Sequence, residues 1–512
     1  LKPAVLIRAE EDLQKDFAAD DWPSLLREIT DVEGDKTPNL LRYMPNDAGN
    51  AERVIAFCGR DLRYCHAIKK WLVWDGRRWA IDTTDQSRRL TKITMLEYHR
   101  QVVQSGGGEQ AEKFARGCLD ARRLSSALSL AEPEIFIEPD KLDSHPDLLN
   151  FLNGTVNLRT GEPRAHRRED FLTKLVHYNY DPSAECPTFM GFLNQIMGGG
   201  ADASEGGQKR AEVLIDHLQK SFGYTVTGLT SEKVVFMPYG GGNNGKTTLL
   251  STIFQLIPEH SVLLAIDTLM VKQESNNSQA DLADLRGARF VMTSETEEGQ
   301  RLAEGKLKRI TQGMGRIKAV RKYENPIEFT ETHKLWLDAN HRPAIRGTDN
   351  AIWNRLHSIP FSITIPPEDI DRGLPGKLLR EAEGILAWIV QGAMRWYADG
   401  LGKPAEVAKA GEEWRADMGQ LGRFIEERCV VEGEKLKCPH AILYGAYKLW
   451  AERGKEFQIQ SRIFSQKVEE RGFKKSPLDG LAVFRGIDLK PAPVAKPDQA
   501  KDEQPSDDEV PQ

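Results

Sequence analysis

The chain lacks most of the features that assign a protein to a special class. Its 512 residues include only six cysteines, Cys58, Cys65, Cys118, Cys186, Cys429 and Cys438, and no two are spaced C-x-x-C. That argues against a zinc ribbon or finger and against a disulfide framework, and suits reduced thiols in a cytosolic protein. There is no run of about 18 uncharged apolar residues, which excludes a helical membrane span. No charged-then-apolar leader opens the chain, so a secretory signal is not expected. No internal repeat is visible. A global basic excess is also missing: 70 Lys and Arg face 76 Asp and Glu, for a net charge of −6. Any nucleic acid must then be held by a local basic cluster. The first residue is Leu1 rather than Met, which suits a fragment or an unusual start.

What is present is ordinary for a soluble globular protein: 40% hydrophobic and 29% charged residues. At roughly 100–200 residues per domain, about three domains are expected. Residues 1–45 form a motif-free segment with a helical pattern over Glu10–Ala19. Residues 46–200 alternate helix and short strand. A Gly-rich stretch, Met197–Gln208, marks a boundary. Residues 209–366 alternate strands and helices in the α/β manner. Residues 376–430 are helical in pattern and residues 439–489 form a small module. Residues 490–512 contain five prolines and almost no large apolar side chain, so disorder is expected there. Within the first region, Trp71–Trp79 predicts a β-hairpin about Asp75-Gly76 with type I′ geometry. Its tryptophans suit packing of a hairpin face, or stacking on bases.

The sharpest signal is a loop. Lys233–Tyr239 is a short apolar, β-branched run that predicts a buried strand. It leads into Gly240, Gly241, Gly242, Asn243, Asn244, Gly245, Lys246, Thr247 and Thr248, which fits G-x-x-x-x-G-K-[ST]. Leu249–Ile257 then predicts a helix. Glycines let backbone N–H groups turn toward phosphate oxygens, and a helix N-terminus adds partial positive charge. Lys246 can reach β- and γ-phosphates, and the Thr247 hydroxyl can complete a Mg²⁺ shell. ATP and Mg²⁺ are therefore the expected ligands.

Hydrolysis needs more than a cradle. Arg289–Glu295 is an apolar run ending in Ser294-Glu295, so Glu295 can support the metal or orient water, with Glu297 and Glu298 as neighbouring alternatives. Lys334–Asn340 is a second such run, and Asn340 can bond a γ-phosphate or the attacking water. Arg355, before the strand-like His357–Ile365, is a candidate arginine finger. Between these runs, 306–322 (KLKRITQGMGRIKAVRK) has seven basic positions and no acidic one. Gly313 and Gly315 predict a bend and Arg316–Thr330 a hairpin. Such a block can track a nucleic-acid backbone, or be a solvated charged face.

Taken together, these segments resemble the superfamily 3 helicases, and more closely the helicase portion of phage and plasmid primase–helicases, a group that includes poxvirus primase–helicases. The resemblance runs over about Asn46–Leu489. It is carried by GGGNNGKTT (240–248), SETEEGQRL (294–302), HKLWLDANHRPAIRGTD (333–349) and AIWNRLHSIPF (351–361). Upstream, NDAGNAERV (46–54) and LLNFLNGTVNLRTGE (148–162) resemble the accessory domain that precedes the family's motor; KLLREAEGILAWIVQGAMRWYADGL (377–401) resembles its post-motor helices. The resemblance implies an α/β P-loop NTPase motor (AAA+-like, superfamily 3), flanked by a mixed α/β N-terminal accessory domain and a C-terminal winged-helix-like domain. It implies Lys246 and Thr247 on nucleotide and Mg²⁺, Glu295 as Walker B acid, Asn340 as sensor 1 and Arg355 as a finger acting in trans. Lys318, Arg321 and Lys322 would sit on or beside the hairpin that grips single-stranded DNA. It further implies a homo-hexamer translocating 3′ to 5′ on single-stranded or forked DNA. The setting would be phage, prophage or plasmid replication in the cytoplasm of a bacterial host, with host or phage replication proteins as possible partners and no membrane. The chain departs from the family pattern at Gly315, Val320 and Asn354. Only about 45 residues precede the resembling region, so primer synthesis by this chain alone is not expected.

The C-terminal module reads as two amphipathic helices, Ala441–Arg453 and Ser461–Gly472, then a hairpin over Phe473–Ile487. This is a winged-helix pattern in which Arg462, Lys467, Arg471, Lys474 and Lys475 can meet phosphates, although Glu469 and Glu470 interrupt them. A protein-docking module fits the same pattern. Two other readings of the whole chain stay open: an ATPase that loads onto or remodels DNA without unwinding it, and an origin-binding protein whose loop is a structural nucleotide site.

Overall fold

The computed structural model describes residues 37–200, 203–271, 282–293, 302–313, 315–320, 326–340, 342–343, 345, 350–417, 420–431, 436–454, 458, 460–471, 473–478 and 481–491. The expected helix at Glu10–Ala19, the acids Glu295, Glu297 and Glu298, the basic residues Arg321 and Lys322, and nearly all of the expected disordered tail lie outside the described residues. The chain divides into two compact units, one of Leu1–Pro343 with Asp349–Gly411 and one of Ala344–Thr348 with Glu412–Gln512.

The centre of the first unit is a five-stranded, all-parallel sheet. Its strands are β1 (Val235–Tyr239), β2 (Ser261–Leu264), β3 (Phe290–Thr293), β4 (Lys334–Leu337) and β5 (Leu356–Pro360), in the spatial order β5-β1-β4-β3-β2. Apart from the edge strand β2, the strands are short and almost continuously buried, as expected of a parallel sheet covered on both faces. The expected strand His357–Ile365 is shorter than its apolar pattern: pairing ends at Pro360, after which the chain turns across the 240–248 loop.

Four helices position that sheet: α1 (Pro187–Met197), α2 (Glu205–Val226), α3 (Lys246–Leu256) and α4 (Ala382–Asp399). Ser204 caps α2 by accepting from Gly207 N. Aromatic rings lock α2 to the sheet: Phe222 and Phe236 lie with their ring centroids 4.3 and 4.4 Å from Trp336, whose Nε1 donates to Thr225 Oγ1 at 3.0 Å. α4 crosses α2 at a contact only glycine permits. A Cβ on Gly223 or on Gly392 would fall 2.1 Å from backbone atoms of the other helix.

The region before the parallel sheet contains an antiparallel sheet (Leu62–Cys65, Lys70–Trp74, Trp79–Ile81) with the helices Asp47–Cys58 and Gln86–Gln104. The Trp71–Trp79 hairpin forms, but not with the expected type I′ turn. Trp74 pairs with Trp79 across a four-residue loop, and Gly76 alone in it has positive φ. The reason is the Asp75 carboxylate, which accepts from the N–H groups of Arg77 and Arg78 and widens the turn. Trp79 is fully buried and donates to Arg168 O at 2.8 Å, so the hairpin tryptophan packs rather than presenting a ring for stacking. This region is tied to the parallel-sheet region through Glu259. Its carboxylate accepts from Arg78, His177 Nε2 and Leu175 N, and its carbonyl accepts from Lys174 Nζ.

The second unit has helices Gln420–Arg428, His440–Arg453 and Ser461–Glu470 and a sheet of Lys437–Pro439, Leu481–Arg485 and Lys475–Leu478. Phe424, Tyr447, Phe464 and Phe484 form its core. Arg462, Lys467, Lys474 and Lys475 are exposed, and Lys475 Nζ donates to Ser465 Oγ at 3.0 Å. All six cysteines are unpaired and buried. Among the described residues no helix is long and apolar enough to cross a membrane.

Candidate functional site: a phosphate cradle at the ends of two adjacent strands

Strand β1 stops at Tyr239 because the next residue, Gly240, has φ +156°. Asn243 (φ +57°) and Gly245 (φ +78°) complete a turn that L side chains other than Asn rarely accept. α3 starts immediately afterwards at Lys246, so the loop feeds a helix N-terminus. The loop's glycines divide by role. A Cβ on Gly240 would strike Phe361 O at 2.2 Å, and one on Gly245 would strike Ile196 of α1 at 2.6 Å. A Cβ on Gly241 or Gly242 would meet nothing within 4 Å, leaving an open rim.

Lys246 is 2% exposed, and its ammonium is aimed into the loop. Its Nζ donates to Gly240 O at 2.8 Å, Asn244 Oδ1 at 3.0 Å and Asn340 Oδ1 at 3.1 Å. Asn340 reaches it because β4 lies beside β1 and a bridge between Tyr239 and Ala339 extends that pairing past the strand ends. Thr247 Oγ1 donates to Asp338 Oδ2 at 2.8 Å, and Asp338 is itself 2% exposed. Four side chains from two adjacent strand ends thus converge at the carboxyl edge of an open parallel sheet, where ligands of such sheets bind.

Asp338 is the site residue that the sequence reading passed over. Its signal was present, because successive strand residues alternate faces, so an acid two positions before Asn340 points the same way. Hydroxyl and carboxylate oxygens are hard donors suited to Mg²⁺, and their buried contact puts them where a metal held by phosphates would also need ligands. No cluster of three or more His, Cys, Asp or Glu side chains that could hold a metal occurs among the described residues.

Arg355 is not part of this constellation. It ends the short helix Asn350–Arg355, and Leu356 pairs with Val235 while Pro360 pairs with Tyr239. Arg355 is therefore separated from its own loop by about 20 Å of strand, at roughly 3.3 Å per residue. Its guanidinium donates to Ala351 O at 2.6 Å and Thr311 O at 3.4 Å. The expected hairpin forms from Arg316–Ala319 and Ile327–Thr330. Lys318 is exposed on it, opposite Glu328. Arg316 is held by Glu328 at 3.2 Å and Asp140 at 3.3 Å, which reduces the net positive charge of the hairpin stem.

Comparison with known proteins bears on this arrangement. Residues 51–198 match the family described as D5 N terminal like, and residues 239–355 match a family of unknown function (DUF5906). A protein of Acanthamoeba polyphaga mimivirus named as a putative helicase is 28% identical over 324 residues, 58% of this chain and 32% of that one. Helicase-named proteins of Invertebrate iridescent virus 6 (26% identity, 49% of this chain, 26% of that one) and Frog virus 3 (30%, 50% and 28%) match as well. These matches support a D5-like phage and viral primase–helicase family for the chain. The chain spans about a quarter to a third of the length of those curated relatives. Among solved structures, the apo NrS-1 C terminal region covers 83% of this chain and 95% of its own at 11% identity and a TM-score of 0.40, a likeness too slight to bear on the site.

Proposed function

We propose that this D5-like chain is the ATP-hydrolysing motor of a replicative DNA helicase. The observation that carries the reading is the convergence of Lys246, Thr247, Asp338 and Asn340 at one edge of the parallel sheet. The chemistry is the attack of water on the γ-phosphorus of ATP, giving ADP and phosphate. Lys246 Nζ exchanges the neutral acceptors Gly240 O and Asn244 Oδ1 for β- and γ-phosphate oxygens, a stronger charge-assisted contact. That exchange releases the Asn340 amide to bond the γ-phosphate or align the water. Thr247 and Asp338 would hold Mg²⁺, which when bound neutralises charge between the β- and γ-phosphates. Glu295 is assigned the orientation or deprotonation of the water.

Arg355 is too far along β5 to serve its own loop, so its role as a finger requires a neighbouring subunit. A ring, taken as a homo-hexamer, supplies one. Lys318, with Arg321 and Lys322, would grip the phosphate backbone of one strand, and the cycle of hydrolysis would move that strand 3′ to 5′. The setting is phage, prophage or plasmid replication inside a bacterial host. One observation favours a second reading, an ATPase that loads onto DNA without unwinding it: the described hairpin stem carries Glu328 against its basic side chains. Strand displacement on forked duplexes decides between them. ATP-dependent displacement with a 3′ tail, and little with a 5′ tail, is expected. ATP turnover with no displacement on either substrate supports the second reading.

A further inference from the structure

Most arginines of the region before the parallel sheet are used inside the fold. Arg53 is fully buried, donates to the carbonyls of Leu40, Met44 and Tyr43, and lies 3.8 Å over the ring of Tyr98. Arg100 is held by Glu97, Arg168 by Asp61 and Arg78 by Glu259. One face differs. It is built by the helices Gln86–Gln104 and Ala121–Ala131, which share a core with Val54: Met95 comes from the first, Leu124 and Ala127 from the second. Arg88 Nη2 on the first helix donates to Ser125 Oγ on the second at 2.8 Å. Lys92 stands one turn after Arg88, and Arg122 one turn before Ser125, so the three cations are neighbours. All three are exposed, and none has a carboxylate partner among the described residues. Residues 86–131 hold eight Lys and Arg against four Asp and Glu, in a chain whose net charge is −6. Two of those four acids are already taken, by Arg100 and Arg116.

This placement is unfavourable to the fold alone. Neither helix has an acidic residue in its first turn; Arg88 and Arg122 stand there instead, where the helix dipole disfavours a cation. Arg88 and Lys92 are a like-charge pair four positions apart, which also destabilises a helix. A polyanion on the face would offset both penalties. The face offers donors only: guanidinium, ammonium and serine hydroxyl. The one aromatic side chain of the two helices, Tyr98, is buried. Stacking rings grip unpaired bases, whereas charge and hydroxyl contacts alone suit the regular phosphates of a duplex. We infer that this face docks the sugar–phosphate backbone of duplex DNA, with Arg88, Lys92 and Arg122 each meeting a phosphate. The inference rests on the DNA-acting reading above and goes beyond it. That reading puts one strand on the Lys318 hairpin; this one puts the still-paired DNA on the region matched by the D5 N terminal like family.

Fluorescence anisotropy with a labelled blunt duplex and a labelled single strand of the same length, over a range of salt, tests this on the 512-residue chain. One variant combines Arg88→Gln, Lys92→Gln and Arg122→Gln. A control removes equal charge elsewhere in the same unit, at the exposed Lys69, Lys209 and Lys409, each to Gln. Duplex affinity of the first variant should fall roughly tenfold or more at low salt, and its log affinity against log salt should be shallower by about 2.7, from 0.9 for each of three phosphates. Single-strand affinity, ATP turnover without DNA and the thermal midpoint should not change, and the control should bind as wild type. Duplex affinity and salt slope unchanged in the first variant overturn the inference. So does an equal loss for duplex and single strand, or an equal loss in the control. Lys318→Gln separates the two readings, because it should weaken the single strand and spare the blunt duplex. Wild-type chain that binds the single strand but no duplex overturns the docking face alone; wild-type chain that binds neither overturns the DNA-acting reading as well.

Discussion

The two edges of the central sheet both carry a buried lysine, and they use it differently. At the carboxyl edge, Lys246 is bonded to its own loop and to Asn340, acceptors that phosphate can replace. At the amino edge, Lys334 opens β4 and donates to the carbonyls of Thr227, Leu229 (3.1 Å) and Thr332 (2.9 Å). Arg289, just before β3, donates to Val226 O at 2.6 Å. These two cations close the carbonyl end of α2, where the helix dipole is negative. Burial, with Arg289 close by, pushes the Lys334 ammonium well below the usual lysine range, and burial lowers Arg289 to about 10. A buried basic side chain is thus not a site in itself. Which end of a parallel strand it occupies, and whether its partners can be exchanged, decides between chemistry and architecture.

Substitutions at the two edges should separate cleanly. The largest effect is expected for Lys246→Ala, which should cut ATP turnover by about 10³-fold while leaving the thermal midpoint nearly unchanged; steady-state turnover and calorimetry check both. Next, Lys334→Met should leave three carbonyls short of a donor and cost about 3 kcal/mol of stability. Chemical denaturation reads this, and turnover of the folded fraction should persist. If Lys334→Met instead abolished turnover at unchanged stability, the contrast between the edges would fail. Asp338→Asn keeps the shape but weakens the carboxylate beside Thr247, so turnover should fall by about 10–100-fold, with a raised Mg²⁺ requirement seen in a metal titration.

The last effect, on pH dependence, concerns Glu331, at the foot of the basic hairpin. It is 3% exposed and accepts from Gly313 N at 3.3 Å. Burial pushes its carboxyl up from 4.5 to about 7, against the lowering by that N–H and by Lys334. A carboxyl raised on folding binds its proton more tightly in the folded chain. Stability should therefore decline as pH rises from about 4.5 to about 7 and level off above, by roughly 3 kcal/mol. Denaturation midpoints at pH 5, 6, 7 and 8 measure it, and Glu331→Gln should flatten that part of the slope.

How far the sequence reveals this differs by feature. The 240–248 loop is legible because its constraint is local: glycines and Asn where φ is positive, then a helix start. Asn340 is legible as a polar stop after an apolar strand. Asp338, two residues earlier, is missed because its meaning depends on β4 lying beside β1, and strand adjacency in a crossover sheet is not written in chain order. Arg355 is legible as a candidate, but only the register of β5 shows that it cannot reach its own loop. The Asp75-Gly76 turn misleads because the local signal for type I′ is outweighed by the Asp75 carboxylate capping two N–H groups.

The most direct test of the central claim is steady-state ATP turnover by the 512-residue chain with and without single-stranded DNA, beside Lys246→Ala. The account predicts turnover in the wild type, raised several-fold by the single strand, and none above background in the variant. Turnover absent in the wild type, or present but indifferent to DNA, would contradict it.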